Sequence, residues 1–194
     1  MKPLQTEQWM KILFKAIENS QSKITGSLVK NELAYQKVNE LFKDAMNKRT
    51  SVWWVGNGGS SAVCAHLSQD IMNKLKIKSY YLNDASLLTC MANDYGYENV
   101  YKKPLELHAN KDDLLIAISS SGNSENIVSC IEMASEKQMK IVTLSGMKND
   151  NRLWRSDVDV CFYVPSVFYG IVEVGHEAIL HGIIETLFFE VESR

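Results

Sequence analysis

The sequence predicts an α/β protein, a three-layer α/β/α sandwich around a five-stranded parallel sheet, and three observations predict it. Short β-rich runs alternate with helical stretches after Lys48, the form that repeated βαβ units take in a sequence. Two of the runs, Leu114-Leu115-Ile116-Ala117-Ile118 and Ile141-Val142-Thr143-Leu144, are continuously apolar, as strands covered on both faces are. Finally, two Gly- and Ser-rich turns stand where strands hand over to helices.

The elements follow in order. Trp9, Ile12, Leu13, Ala16 and Ile17 recur at helical spacing, as do Leu28, Leu33, Val38, Leu41, Phe42 and Ala45, so residues 1–48 read as a helical pair separated by Ser20 to Gly26. The pattern changes near Thr50. Strands are expected at Ser51 to Gly56, Lys78 to Leu82, Asp113 to Ser119, Lys140 to Ser145 and Val158 to Val164. Helices are expected at about 60–73, 99–109, 124–137 and 171–192. At 194 residues and 45% hydrophobic content, the chain suits one buried core, hence one domain over 1–194, with the sandwich over 50–194.

Composition excludes several classes. With 21 basic against 23 acidic side chains there is no positive excess to follow a nucleic-acid backbone. No apolar run approaches the roughly 20 residues a bilayer span needs, and Met1 to Thr6 lacks the order of a secretory signal, so a cytoplasmic protein without nucleic-acid or membrane partners is expected. Cys64, Cys90, Cys130 and Cys161 form no C-x-x-C pair and read as small buried hydrophobes.

In open parallel sheets ligands bind beyond the carboxyl ends of the strands, where free N–H groups at helix N-termini favour anions. The first turn, Gly56-Asn57-Gly58-Gly59-Ser60-Ser61, supplies positive-φ backbone and close approach. The second, Ser119-Ser120-Ser121-Gly122-Asn123-Ser124, offers four hydroxyls at a helix start, more than an N-cap requires, and suits a phosphate monoester. Neither is a P-loop or a G-x-G-x-x-G turn, which leaves a small phosphate ester as ligand.

Behind the first turn His66 and Asp70 share a helix face at i,i+4 spacing. Glu173, His176, Glu177 and His181 fall in one late stretch; two His and two carboxylates could hold a divalent metal or supply an acid and a base. Glu173 and His181 are separated by roughly 12 Å of helical rise, so convergence on one atom needs extended side chains or an irregular helix. His108 has no supporting context. Phe162-Tyr163 and Lys111-Asp112-Asp113 read as core and solvated turn.

These residues, the glycine turn with His66 and Asp70 behind it, the serine turn, Ala92-Asn93-Asp94-Tyr95-Gly96, and the terminal stretch with His176 and His181, resemble the SIS (sugar isomerase) domain, and more narrowly the phosphoheptose isomerases, over nearly the whole chain. The resemblance implies a flavodoxin-like strand order and phosphate binding by Ser119, Ser120, Ser121 and Ser124. It implies sugar contacts from Asn57, Gly58, Ser60, Asp94 and Glu173. Zinc, one ion per active site, would be held by His66, Asp70, Glu173 and His181, with Asp70 and His181 as catalytic base and acid. Asp70 stands for the family's Glu, Glu173 for its Gln, Lys74 for its common Arg, and Gly170 for its frequent Asp.

The activity so implied is aldose–ketose isomerisation of sedoheptulose 7-phosphate to the aldoheptose 7-phosphate for surface-polysaccharide heptose synthesis, in a homotetramer with active sites between subunits, where His66 and His181 could come from different chains. The competing expectation is a non-catalytic module that senses a phosphosugar or binds a partner such as a replication initiator. Retention of both histidines beside carboxylates favours the enzyme.

Overall fold

The structure is a computed structural model that describes residues 4–193; Met1 to Pro3, part of the start considered above for a signal, and Arg194 lie outside the described residues. Two helices open the chain, α1 (Thr6–Glu18) and α2 (Asn31–Lys48), and between them a hairpin forms from β1 (Gln21–Ile24) and β2 (Ser27–Val29). Then come β3 (Ser51–Gly56), α3 (Gly58–Leu75), β4 (Lys78–Tyr81), α4 (Ala85–Tyr95) and α5 (Lys102–His108). The chain continues through β5 (Leu114–Ser119), α6 (Glu125–Glu136), β6 (Lys140–Gly146), α7 (Arg152–Arg155), β7 (Val160–Val164) and α8 (Tyr169–Glu192).

The sheet has seven strands in the order β2-β1-β7-β6-β5-β3-β4, which corrects the expected five. The five expected strands are all present, mutually parallel, and in the flavodoxin-like order. The two extra strands lie in and just beyond the segment read as a separator. Thr25 and Gly26 both take positive φ, 44° and 75°, as a two-residue hairpin turn requires, and β1 pairs antiparallel with β7. The hairpin covers a β7 edge that would otherwise expose unpaired backbone groups.

Alternation along β3 divides the interior. Val52 and Trp54 face a core built with Phe42, Leu67, Ile71, Leu180 and Ile184, whereas Trp53 and Val55 face one built with Tyr101, Leu105, Ile127 and Leu153. Helices α1, α2, α3 and α8 therefore cover one face of the sheet, and α5, α6 and α7 the other. Phe162 and Tyr163 are core as expected.

Asp113, read as part of a solvated turn, is instead 3% exposed. Its carboxylate accepts from Ser51 N at 2.8 Å, Trp53 Nε1 at 2.9 Å and Asn110 N at 2.9 Å, pinning the start of β5 to β3. Three donors make its burial tolerable. Cys64, Cys130 and Cys161 are buried as expected, but Cys90 is exposed on α4. Helix α4 was not anticipated; Asp84 caps it by accepting from Leu87 N at 3.0 Å. The helix expected over 99–109 resolves into a 3-10 turn at Tyr97–Asn99 followed by α5. No helix among the described residues is long and apolar enough to cross a membrane.

Candidate active site

The strand order reverses between β3 and β5, and the two unusual turns follow these two strands, placing them side by side at the switch point. Asn57, Ser60, Ser119, Ser120, Ser121, Ser124, Tyr169 and Glu173 line one cavity of about 110 Å³. The serine-turn residues and three residues of the glycine-turn and α8 expectations thus meet in one place. Asp94 is exposed on α4, within hydrogen-bonding reach of Asn93 and 3.6 Å from Cys90 Sγ, and does not line this cavity.

The two helix starts are left open toward the cavity. Asn57 and Ser124 occupy the N-cap positions of α3 and α6, yet neither side chain returns to its own helix's first turn. Ser124 Oγ bonds Ser119 Oγ at 3.1 Å, and Asn57 reaches Asn126. A reading of Ser124 as an ordinary cap is therefore incorrect. Uncapped first-turn N–H groups, with the positive end of each helix dipole, are the arrangement that can hold an anion. Ser120 Oγ is buried without a partner among the described residues, a hydroxyl poised for a ligand. No lysine or arginine lines the cavity among the described residues, so its donors are neutral.

The glycines divide the work. Gly58 has φ 53° with open space where a Cβ would stand, so it serves the backbone bend. At Gly59 the requirement is space, because a Cβ would lie 2.5 Å from the Glu173 carboxyl.

Two helical turns further along, His66, Asp70 and His181 bring ligand atoms within 4.8 Å of one another. His66 Nε2 and His181 Nε2 are 3.2 Å apart, and His181 Nδ1 is 3.8 Å from Asp70 Oδ2. All three belong to one chain, so the pairing of the histidines does not need a second subunit. Asp70 is buried and carries Lys74 Nζ at 2.9 Å; Lys74 also pairs with Glu185. These bonds, Glu185 first and Asp70 second, hold the Lys74 ammonium above its usual range.

Glu173 is not in the three-residue group. It packs on Gly59 while His181 packs on His66, so α3 and α8 run side by side in the same direction, and α8 is continuous from Tyr169 to Glu192. Eight residues of regular helix hold Glu173 at the serine cavity and His181 at the other end. His176, between them, is fully buried and packs rather than facing a ligand. Its Nε2 donates to Ser145 O at 2.9 Å, and its Nδ1 has no partner among the described residues. His108 stacks on Trp53 at 6.4 Å between ring centroids. Sequence reasoning missed Tyr169 and Asn126; a polar residue at the second position of α6, where the apolar face begins, was the available signal for Asn126.

Burial lowers the His176 imidazole from 6.5 to about 4. The unfolded chain therefore takes up a proton that the folded one refuses as pH falls from 6.5 toward 4, and stability falls by up to about 1.4 kcal/mol per pH unit across that window. Urea midpoints between pH 7 and 4.5 should drop more steeply for the wild type than for His176→Gln. Equal slopes would mean that His176 does not titrate on unfolding.

The fold and site together define an α/β domain with two helix starts open to one polar cavity, and residues 15–146 match the SIS domain family model. A phosphoheptose isomerase of Cytophaga hutchinsonii is 35% identical over 162 residues, covering 80% of this chain and 83% of that protein. One from Pelobacter propionicus is 33% identical over 144 residues, covering 71% and 75%. The chain belongs to the SIS-domain family, among its phosphoheptose isomerases. The solved structure of the Neisseria gonorrhoeae phosphoheptose isomerase, 23% identical, shares the fold with a TM-score of 0.80 over 93% of this chain and 95% of that one.

Proposed function

We propose that this chain interconverts sedoheptulose 7-phosphate and an aldoheptose 7-phosphate, supplying heptose for surface polysaccharide in the cytoplasm. One observation carries the reading: the serine cavity lies at the start of the parallel helix pair α3 and α8, and the His66, Asp70 and His181 group lies near its middle. From Ser60 to His66 α3 rises roughly 9 Å, at 1.5 Å per residue. The six C–C bonds of an extended heptose advance roughly 8 Å at bond lengths near 1.5 Å. With its phosphate in the serine turn, an extended seven-carbon sugar is thus long enough to span toward Asp70 and His181, whereas a three-carbon sugar is not.

Ser119, Ser120, Ser121 and Ser124 bind the phosphate oxygens, with Asn57, Gly58, Ser60, Asp94 and Glu173 toward the sugar. Ketose-to-aldose conversion breaks a C1–H bond and forms a C2–H bond. Asp70 takes the C1 proton as its C–H electron pair forms the C1–C2 double bond of an enediol(ate), a proton passes from O1 to O2, and His181 delivers a proton at C2 as the C1 aldehyde forms. Lys74 fixes the Asp70 carboxylate through a charge-assisted bond.

Two imidazoles and a carboxylate fit a zinc-type donor set, so His66, Asp70 and His181 would hold the ion, whereas Glu173, eight residues of regular helix from His181, stands apart from that group and is left to the sugar. An ion bound there would supply Lewis-acid chemistry to the substrate's carbonyl end. Exposed Met10, Phe14, Leu33 and Phe189, 51% exposed or more, support burial against further copies in a homotetramer.

The reading is tested by incubating the protein with sedoheptulose 7-phosphate, with chelator and with zinc restored, and following aldose formation. Conversion is expected, reduced by the chelator. Binding without conversion under every metal condition would favour a phosphosugar sensor.

A further inference from the structure

Asn57 occupies the N-cap position of α3, but its carboxamide is committed elsewhere. Its Nδ2 donates to Asn126 Oδ1 at 2.9 Å, and Asn126 Nδ2 donates back to Asn57 Oδ1 at 2.9 Å. The Tyr97 hydroxyl donates to the same Asn57 oxygen at 3.1 Å. The Asn57 oxygen thus has both lone pairs occupied, while of its two N–H bonds one is used and one remains. Asn126 is 2% exposed, and burying a carboxamide there is tolerable because its partner is fixed opposite it.

The location gives this pairing its meaning. Asn57 lines the serine cavity and also an adjoining open lobe of about 440 Å³, which Tyr97, Glu98 and Asn126 line as well. Asn57 comes from the glycine turn and Asn126 from the helix that follows the serine turn. The amide pair therefore ties together the two helix starts that form the anion site.

We infer that Asn126 and Tyr97 are positioning residues that lock the Asn57 carboxamide in one of its two flip states, so that its remaining N–H donates to a hydroxyl of the bound sugar. Released from them, the carboxamide can turn over and present an acceptor in place of a donor. The inference rests on the reading of Asn57 as a sugar contact.

The test compares binding of sedoheptulose 7-phosphate and of inorganic phosphate by calorimetry, for the wild type, Tyr97→Phe, Asn126→Leu and Asn126→Asp, between pH 5 and 8. Asn126→Leu should weaken the sugar phosphate about tenfold, and Tyr97→Phe about threefold, as expected for loss of one positioned hydrogen bond. Inorganic phosphate, held by the serine turn, should change less than about twofold, well below the effect of one lost hydrogen bond.

Asn126→Asp gives a readout that simple support of the turn would not. A carboxylate only accepts and repels the Asn57 oxygen, whereas a protonated carboxyl restores an O–H donor and a C=O acceptor opposite Asn57. Burial raises a carboxyl toward neutral pH, so the variant's affinity relative to wild type should recover as pH falls, while that of Asn126→Leu stays level. Glu98, Glu125 and Glu173, the carboxylates nearest the two cavities, are common to all the proteins and cancel in that ratio.

A level ratio for Asn126→Asp, or equal losses for sugar phosphate and inorganic phosphate in Asn126→Leu and Tyr97→Phe, would overturn the inference. Tyr97 is 59% exposed, so its variant keeps the test valid if the buried substitutions fail to fold. A wild type that binds the sugar phosphate no better than inorganic phosphate overturns the sugar-contact reading and this inference together, and shows itself before any variant is compared.

Discussion

Turnover of sedoheptulose 7-phosphate falls by about 10³-fold in His181→Ala, within the range that loss of a general acid or base produces, while binding of the sugar phosphate changes little. His181 is the residue most exclusively placed at the reaction end. Its Nε2 meets His66 at 3.2 Å and its Nδ1 lies 3.8 Å from Asp70, and eight helical residues separate it from the cavity residue Glu173. Alanine would remove the proposed acid and proposed metal donor together and leave the serine turn untouched. Asp70→Asn should lose turnover similarly, because a carboxamide cannot take the proton, although it retains a partner for Lys74. Steady-state rates and calorimetry on the same preparations separate the two effects. A His181→Ala protein with full rate would remove His181 from the chemistry, and parallel loss of rate and affinity would place it in binding.

The second large effect is expected at the other end of the site. Gly122→Ala should weaken sugar-phosphate binding by about 100-fold, the scale of losing one or two hydrogen bonds to a charged oxygen at about 1.5–3 kcal/mol each. Gly122 has φ 65°, and a Cβ there would overlap the side chain of Asn151. Asn151 cannot step aside cheaply. It is 1% exposed, its Nδ2 donates to Gly146 O at 3.2 Å and Lys148 O at 2.6 Å, and its Oδ1 accepts from Trp154 N at 2.8 Å. The turn must move instead, carrying Ser121 and Ser124 with it. Left-handed backbone costs alanine about 1–2 kcal/mol, and overpacking adds about 1–3 kcal/mol, so the denaturation midpoint should fall as well. Gly58→Ala makes a useful comparison, with a similar φ and open space at the Cβ; it should show the backbone cost without the overlap. Equal behaviour of the two variants would mean that Asn151 gives way.

The parallel sheet was legible because buried strands such as Leu114–Ile118 and Ile141–Leu144 have no polar face to confuse with a loop. The β1–β2 hairpin was not, since Gln21–Ile24 and Ser27–Val29 are short and partly exposed, and only the backbone reveals the Thr25-Gly26 turn. Helix α4 has no fully buried residue, so its apolar positions form no clear stripe. Asp113 looked like turn solvent because its three donors, Ser51, Trp53 and Asn110, come largely from distant sequence.

The site divides in the same way. The serine and glycine turns are local features, and local features can be read along the chain. The meeting of His66 with His181 spans 115 positions, and the sequence offered only helical spacing within each partner. That spacing also raised the difficulty of Glu173, eight residues from His181. Parallel running of α3 and α8 answers it by setting Glu173 against Gly59 and His181 against His66, about two helical turns apart. Asn126 lay outside the expected set because its task, holding Asn57, depends on a neighbour 69 positions away.

In the proposed reaction a proton leaves C1 to Asp70 and another reaches C2 from His181, with the phosphate anchored in the serine turn. Isomerisation in deuterium oxide, with the position of deuterium in the product read by NMR, tests it most directly. Deuterium is expected at C2 of the aldoheptose phosphate, because a proton carried by His181 exchanges with solvent between turnovers. Product formed with no deuterium at C2, or sugar phosphate bound and recovered without conversion or exchange at C1, would contradict it.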